Sequence, residues 1–254
     1  MRLSVIFILF LTIVSCSSVG KMPDKAQDQM ELVYLLHGLG RNNNSMWYLN
    51  SKFKSAGYMV KRVGYPSINR SPKEILKIVS DQIDSNIYKS YRKVHFVGHS
   101  LGGLMIRAYL DKNRVENLGR VILIGTPNHG TQIVDRYKKR WYLKILGEMT
   151  LSLGTDDKSF PNSIPAPYYP VGVIAGVTER LYNEFVLPGK DDGVVTVEST
   201  KLIGMKDLIV IRTNHTMMRY DRDVGIQSIE FLREGRFKSS KSRAYKIFNY
   251  ENLK

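Results

Sequence analysis

The sequence predicts an α/β fold in which a mostly parallel sheet carries helices on both faces. Short uninterrupted apolar runs such as Leu32–Leu36 and Val121–Ile124 are typical of strands that are buried on both sides. Segments with apolar residues at helical spacing separate these runs, so strands alternate with helices. Glycine-rich turns follow several strands, where a parallel sheet places its ligand contacts. The chain has 254 residues, of which 43 % are hydrophobic, and this favours one domain with a substantial core.

The first two predicted strands are separated by one helix. The strand Leu32–Leu36 ends in the glycine-rich loop His37-Gly38-Leu39-Gly40. The polar cluster Asn42-Asn43-Asn44-Ser45 then opens a helix. Residues 58–65 are the next predicted strand, and Pro66 ends it.

The second predicted helix has a well-marked start. Ser71-Pro72-Lys73-Glu74 combines a capping box with proline at the first helical position, and both features begin helices. The helix is expected to bury the apolar residues that follow at helical spacing, namely Ile75, Ile78, Val79, Ile83 and Ile87. The apolar run Val94–Val97 is the third predicted strand.

A sharp turn, Gly98-His99-Ser100-Leu101-Gly102-Gly103, joins this third strand to a helix that opens at Leu101. Such a turn holds its central residue in a strained conformation, which only small neighbours tolerate. The N-terminus of the next helix offers backbone N–H groups to negative charge that develops beside Ser100. The turn therefore presents a nucleophile, which needs a base, an orienting acid and donors for an oxyanion.

The second half of the chain resumes this pattern after one interruption. The alternation breaks between Thr131 and Pro170, where Asp135–Leu146 mixes basic and aromatic residues in a predicted helix and an irregular proline-containing stretch follows. Val171–Ala175 returns to the sheet, and Leu208–Ile211 is the last predicted strand. The final helix contains Ile226, Ile229, Phe231 and Leu232.

Five motifs occur in an order that resembles the α/β-hydrolases of the bacterial lipase and esterase kind. They are the loop His37-Gly38-Leu39, the turn around Ser100, Gly125-Thr126-Pro127-Asn128-His129-Gly130, Asp192-Gly193-Val194-Val195 and the pair Asn214-His215. The resemblance extends from about Leu32 to Leu232 and implies a compact α/β-hydrolase domain over residues 31–235. It also implies that residues 131–170 are a lid or cap insertion. Because only a short polar tether precedes Leu32, the antiparallel strands that open larger members of the family are not expected here.

The resemblance implies a catalytic triad of Ser100, Asp192 and His215, in the chain order of this fold. In this scheme His215 takes the serine proton and Asp192 orients the histidine. Asp191 competes for the role of the acid, although the family places the acid directly before the glycine. The backbone N–H groups of Leu39 and Leu101 are expected to form the oxyanion hole.

The remaining histidines are expected to be structural. His37 and His129 lie at family positions that shape the pocket, His99 belongs to the serine turn, and His95 lies in a strand. Because the histidines are scattered and the chain has a single cysteine, the sequence predicts no metal site and no cofactor.

The chain begins with the pattern of a secretory signal peptide over residues 1–15, a basic start followed by a short apolar run. Ile13-Val14-Ser15-Cys16 resembles the lipobox of bacterial lipoproteins, in which the cysteine is lipidated and becomes the new N-terminus. An ordinary secretory signal or an uncleaved anchor is the alternative. The resemblance implies a lipid anchor at Cys16, a tether over residues 16–30, and an envelope location, with the outer membrane facing the periplasm favoured.

The formal net charge is +15, with 38 basic and 23 acidic residues. An exported protein rarely meets nucleic acid, so anionic lipid head groups are the expected partners of this charge and nucleic acid is not. The basic tail, residues 236–254, and the helix Asp135–Leu146 both suit a membrane surface. A solvated terminus and a solvated cap helix are the respective alternatives.

Together these observations predict a serine carboxylic ester hydrolase of the lipase or esterase type that acts on acyl esters or lipids in the bacterial envelope. A phospholipase or lipid acyltransferase would use the same triad, and a non-catalytic lipid-binding or partner-binding protein would keep the same fold. The sequence leaves open the acyl chain length, the head group and the oligomeric state.

Overall fold

The computed structural model describes residues 29–83, 88–178, 187–238 and 244–245. These residues form a seven-stranded sheet in the order β2-β1-β3-β4-β5-β6-β7. The strands are β1 Glu31–Leu36, β2 Met59–Val63, β3 Lys93–His99, β4 Leu118–Ile124, β5 Val171–Val177, β6 Asp207–Arg212 and β7 Ala244–Tyr245. The first six run parallel, and β7 pairs antiparallel with β6. This arrangement confirms the predicted mostly parallel sheet.

Nine helices lie within the described ranges. They are α1 Trp47–Ser55, α2 Pro72–Gln82, α3 Leu101–Lys112, α4 Gln132–Tyr137, α5 Trp141–Ile145, α6 Glu148–Leu151, α7 Phe160–Ser163, α8 Val197–Thr200 and α9 Arg222–Glu234. Two 3-10 helices, Asn43–Met46 and Met217–Tyr220, precede α1 and α9. The capping box of α2 is confirmed, because the Ser71 hydroxyl accepts from the Glu74 N–H and the Glu74 carboxylate accepts from the Ser71 N–H. In the described ranges, no helix has both the length and the apolar character needed to cross a membrane.

Alternate residues of β1 contribute to two separate cores, one on each face of the sheet. Val33 and Leu35 belong to the core that α1 and α9 cover. Leu32, Tyr34 and Leu36 belong to the core that α2 and α3 cover. Every one of these side chains is fully buried, which confirms the prediction of helices on both faces.

Two predicted elements differ from the structure. The single helix predicted over residues 135–146 is two short helices, α4 and α5, because Arg140 is extended and closes a turn by donating its N–H to the Tyr137 carbonyl. The strand predicted over residues 58–65 ends at Val63, because the N–H of Gly64 bonds to the Gln82 side chain and the N–H of Tyr65 bonds to His37.

The segment between β4 and β5, residues 131–170, is called the cap segment below, and it contains α4 to α7. Arg107 connects both ends of this segment to α3 through hydrogen bonds. Its guanidinium donates to Asn128 just before the cap segment and to the carbonyls of Ile164 and Pro165 near its end. Burial lowers the pKa of Arg107 to about 10.

Several predictions concern residues outside the described ranges. They are the signal peptide over residues 1–15, the lipidated Cys16, the tether before residue 29, the basic tail after residue 238 apart from β7, and the burial of Ile87.

Candidate active site

Ser100 occupies a strained turn between β3 and α3. Its backbone has φ +54° and ψ −123°, a conformation that L residues rarely adopt. The glycines around it are required by close contacts. A side chain on Gly98 would collide with the backbone of Gly102, and one on Gly102 would collide with the carbonyls of Leu36 and His37. The predicted presentation of the serine therefore has a direct steric basis.

The structure brings the three predicted catalytic residues together in one hydrogen-bonded chain. His215 Nε2 lies 3.0 Å from Ser100 Oγ, and His215 Nδ1 lies 2.7 Å from Asp192 Oδ2. The Nδ1–H donates to the carboxylate, which leaves Nε2 to accept the serine proton. Ser100 and Asp192 are buried, and His215 is partly buried.

The carboxylate of Asp192, rather than that of Asp191, contacts the histidine. Oδ1 of Asp192 accepts the N–H groups of Val194 and Val195 at 2.9 and 2.8 Å, which fixes the carboxyl plane. The Asp191 carboxylate instead accepts the N–H of Gly193 at 2.7 Å. Of the two acids that the sequence left open, Asp192 thus has the geometry of an orienting acid.

Sequence reasoning missed the residues that hold His215 in place. His99 Nε2 donates to the His215 carbonyl at 2.8 Å, and the ring centroids lie 4.9 Å apart. Gly125 and Gly176 pack directly against the Asp192–His215 pair, where any side chain would meet Asp192. In the sequence these glycines are marked only by their positions, because Gly125 directly follows a buried strand and Gly176 lies near the end of another.

The two predicted oxyanion donors flank the serine. Leu101 is the first residue of α3, and Leu39 lines the cavity above Ser100. Among the described residues, neither N–H donates a hydrogen bond to the protein. His37 shapes the loop that carries Leu39, because its Nδ1–H donates to the Gly38 carbonyl and its Nε2 accepts the N–H of Tyr65.

The other two histidines are placed away from the triad. His95 accepts the N–H of Arg120 at Nδ1 and donates from Nε2 to the Glu31 carboxylate. His129 contacts the Asn162 side chain at 3.0 Å. In the portions of the chain that the structure describes, no group of three or more metal-binding side chains occurs.

The serine opens into a cavity of about 300 Å³. The apolar part of its lining comes largely from the cap segment, with Ile133, Val134, Leu143, Leu146 and Leu153. Arg41, His99, Thr216 and Arg219 are also among the residues that line it. A larger groove of about 700 Å³ beside His129 and Asn162 contains none of the three triad residues.

Burial gives the site a predictable response to acid. It lowers the pKa of His37 and lowers the pKa of His99 well below the usual value of 6.5. Between the folded and unfolded pKa values the unfolded chain binds more protons, so stability rises with pH in that window. We expect the free energy of unfolding to fall as pH decreases from 7.5 through about 6.5 toward 5.5, by at most about 1.4 kcal/mol per pH unit for each histidine.

Urea unfolding at pH 7.5, 6.5 and 5.5 measures this dependence. The His99→Gln variant keeps a donor for the His215 carbonyl and removes one titrating group, so its stability should depend less steeply on pH than that of the wild type. A stability that stays level or rises on acidification over this range would contradict the assignment of both histidines as neutral in the folded state.

The fold is shared with solved structures. The lipase BlEst2 of Bacillus licheniformis in its mature form is 20 % identical over 81 % of this chain and 91 % of that chain, with a TM-score of 0.61. The metagenomic carboxyl esterase MGS0156 is 15 % identical over 75 % of this chain and 66 % of that chain, with a TM-score of 0.54. Phospholipase PlaB of Legionella pneumophila is 19 % identical over 68 % of this chain and 46 % of that chain, with a TM-score of 0.53. No curated protein sequence matches the chain.

The protein therefore has the α/β-hydrolase fold. The model of the palmitoyl protein thioesterase family matches residues 32–169, which is more than half of the chain. The chain belongs to the palmitoyl protein thioesterase family. The matched part contains Ser100 and both predicted oxyanion residues, whereas Asp192 and His215 lie beyond it.

Proposed function

We propose that this protein is a serine carboxylic ester hydrolase that acts through an acyl-enzyme. The observation that carries the proposal is the chain of hydrogen bonds from Ser100 through His215 to Asp192, which opens into a cavity with an apolar wall. A serine hydroxyl is a weak nucleophile unless a base takes its proton, and this geometry supplies the base and its orienting acid.

The reaction follows from the placement of these groups. His215 Nε2 accepts the proton of Ser100 as Oγ attacks the ester carbonyl, and the N–H groups of Leu39 and Leu101 donate to the oxyanion. Collapse of the tetrahedral intermediate breaks the ester bond, and His215 returns the proton to the departing alcohol. Water, deprotonated by the same nitrogen, then hydrolyses the acyl-enzyme and releases Ser100. Asp192 stabilises the imidazolium that forms in each half-reaction.

The proposed substrates are lipid or other acyl esters of the bacterial envelope, reached by a protein that is lipidated at Cys16 and held at the outer membrane. Support comes from the signal and lipobox pattern of residues 1–16 and from the surface of α5. Trp141 and Ile145 on α5 are 72 % and 59 % exposed, and Arg140 and Lys144 flank them. Exposed apolar side chains interleaved with cations suit an anionic membrane surface.

Thioester hydrolysis is a second candidate, favoured by the family model that matches residues 32–169. The same steps apply, with a thiol as the leaving group. Because a thiol needs less assistance from a general acid than an alcohol does, the proposed machinery is sufficient for it. A pair of oxygen and sulfur esters with the same acyl chain would rank the two activities by their kcat/KM.

Labelling with a fluorophosphonate tests the proposed nucleophile. We expect the full chain in neutral detergent to be labelled at Ser100, because only this serine contacts a histidine and faces the cavity among the described residues. Mass spectrometry of the digested protein locates the label, and heat-denatured protein is the control that should take up none. A folded protein that stays unlabelled, with and without added lipid vesicles, would replace this proposal by a lipid-binding or partner-binding role.

A further inference from the structure

We propose that Arg219 is the anion-binding residue of the active-site cavity, so that the preferred esters carry a phosphate or carboxylate close to the scissile bond. The inference rests on the proposed ester hydrolysis and specifies its substrate class. The shared chemistry is a compact oxyanion, located either on the alcohol part of the ester, as in a lipid head group, or on the acyl part.

Arg219 lines the active-site cavity although it is not part of the triad. It belongs to the 3-10 helix Met217–Tyr220, which begins two residues after His215. Its side chain lines the same cavity as Ser100 and His215. Only 5 % of the residue is exposed to solvent.

The guanidinium of Arg219 lacks the partners that a buried cation normally has. Across the described residues it forms no hydrogen bond and no salt bridge, and its buried Nε–H has no acceptor. The guanidinium carbon lies 4.9 Å from the centroid of the Tyr220 ring, which is a cation–π contact. Burying an unpaired charge is strongly unfavourable, so such a group is expected where a ligand supplies the missing anion.

The charge of Arg219 affects the pKa of two neighbouring histidines. After burial itself, the positive charge of Arg219 is among the causes that lower the pKa of His37 and of His99. Arg41, on the loop after the predicted oxyanion residue Leu39, also lines the cavity and lowers the pKa of His99. No aspartate or glutamate is among the described residues that line this cavity.

The lining of the cavity thus combines two chemically different groups of residues. Leu143, Leu146 and Leu153 of the cap segment offer an apolar surface for an acyl chain. Arg219 and Arg41 offer two cations for an oxyanion, and a guanidinium binds phosphate or carboxylate through two parallel hydrogen bonds. An ester with an apolar chain and a fixed negative charge would match both the apolar residues and the two arginines.

Matched substrates and variants test the proposal in the full chain in neutral detergent. The anion on the alcohol side is tested with 1,2-dibutyrylglycerol 3-phosphate against neutral 1,2-dibutyrylglycerol. The anion on the acyl side is tested with mono-p-nitrophenyl glutarate against p-nitrophenyl butyrate. In one of the two pairs, we expect the wild type to favour the anionic ester by kcat/KM, and Arg219→Gln to lower that preference by about 10- to 100-fold.

Two further variants test whether the geometry and the position of the arginine matter. Arg219→Lys keeps the charge without the two-pronged geometry and should retain part of the preference. Arg222→Gln removes an exposed arginine outside the cavity, on α9, and should leave the basal activity and the preference unchanged. The proposal is overturned if the wild type shows no preference in either pair, or if Arg219→Gln lowers kcat/KM equally for charged and neutral esters.

A binding measurement tests the anion subsite without requiring catalytic turnover. Inorganic phosphate, titrated calorimetrically into the Ser100→Ala protein, should bind at least about tenfold more weakly when Arg219→Gln is added, because a charged hydrogen-bonded pair is lost. Equal phosphate binding in the two proteins contradicts the anion subsite even if Ser100 labels with fluorophosphonate. Loss of phosphate binding together with an unlabelled Ser100 keeps the subsite and refutes the proposed hydrolysis instead.

Discussion

Replacement of Ser100 by alanine is expected to lower the hydrolysis of p-nitrophenyl butyrate by about 10⁶-fold in kcat, because it removes the proposed nucleophile. The Oγ atom that is removed is the one that lies 3.0 Å from His215 Nε2. Alanine retains the Cβ atom and leaves the turn intact, so the variant should unfold at the same urea concentration as the wild type. Steady-state kinetics at pH 8 measure the loss.

A second buried serine provides the matched control. Ser228 on α9 is fully buried, and its hydroxyl has no hydrogen-bond partner among the residues that the structure describes. Since Ser228→Ala removes a hydroxyl that makes no bond, activity and stability should both be retained. If Ser100→Ala kept more than a few per cent of the wild-type rate, hydrolysis would have to use a different nucleophile.

Replacement of Asp192 by asparagine is expected to lower kcat by about 10⁴-fold with the fold preserved. An amide at this position cannot stabilise the imidazolium, and its NH₂ group favours the wrong tautomer of His215. The effect should be large because Oδ2 of Asp192 is the group that receives the Nδ1–H at 2.7 Å. The rate should be measured alongside the reaction with fluorophosphonate, which depends on the same base.

The neighbouring acid is the natural comparison for this variant. In Asp191→Asn the amide oxygen can still accept the N–H of Gly193, so we expect the rate to change by no more than a few-fold. A larger loss in Asp191→Asn than in Asp192→Asn would move the orienting role to Asp191, the alternative that the sequence alone left open.

Most of the fold could be predicted from strong local signals in the sequence, and the three proposed catalytic residues from the resemblance to the α/β-hydrolases. The buried parallel strands appear as uninterrupted apolar runs, and glycines mark the serine turn. Asp192 and His215 each follow a strand at the same edge of the sheet, where the carboxyl ends of parallel strands meet.

The features that sequence reasoning missed depend on contacts between distant segments. The split of the predicted cap helix into α4 and α5 occurs at Arg140, which carries no glycine or proline signal. Arg219 is one of 38 basic residues, and its burial beside Ser100 has no sequence signature. The bond from His99 to the His215 carbonyl joins residues 116 positions apart.

The strained backbone of Ser100 lowers the stability of the fold while it presents the proposed nucleophile. A residue held at φ +54° costs about 1–3 kcal/mol, a sizeable share of the roughly 5–15 kcal/mol that keeps a domain folded. Glycine would adopt this conformation with little strain but has no hydroxyl to offer. A search for thermostable variants would therefore favour position 100 as a site of improvement, and each gain there would eliminate the proposed nucleophile.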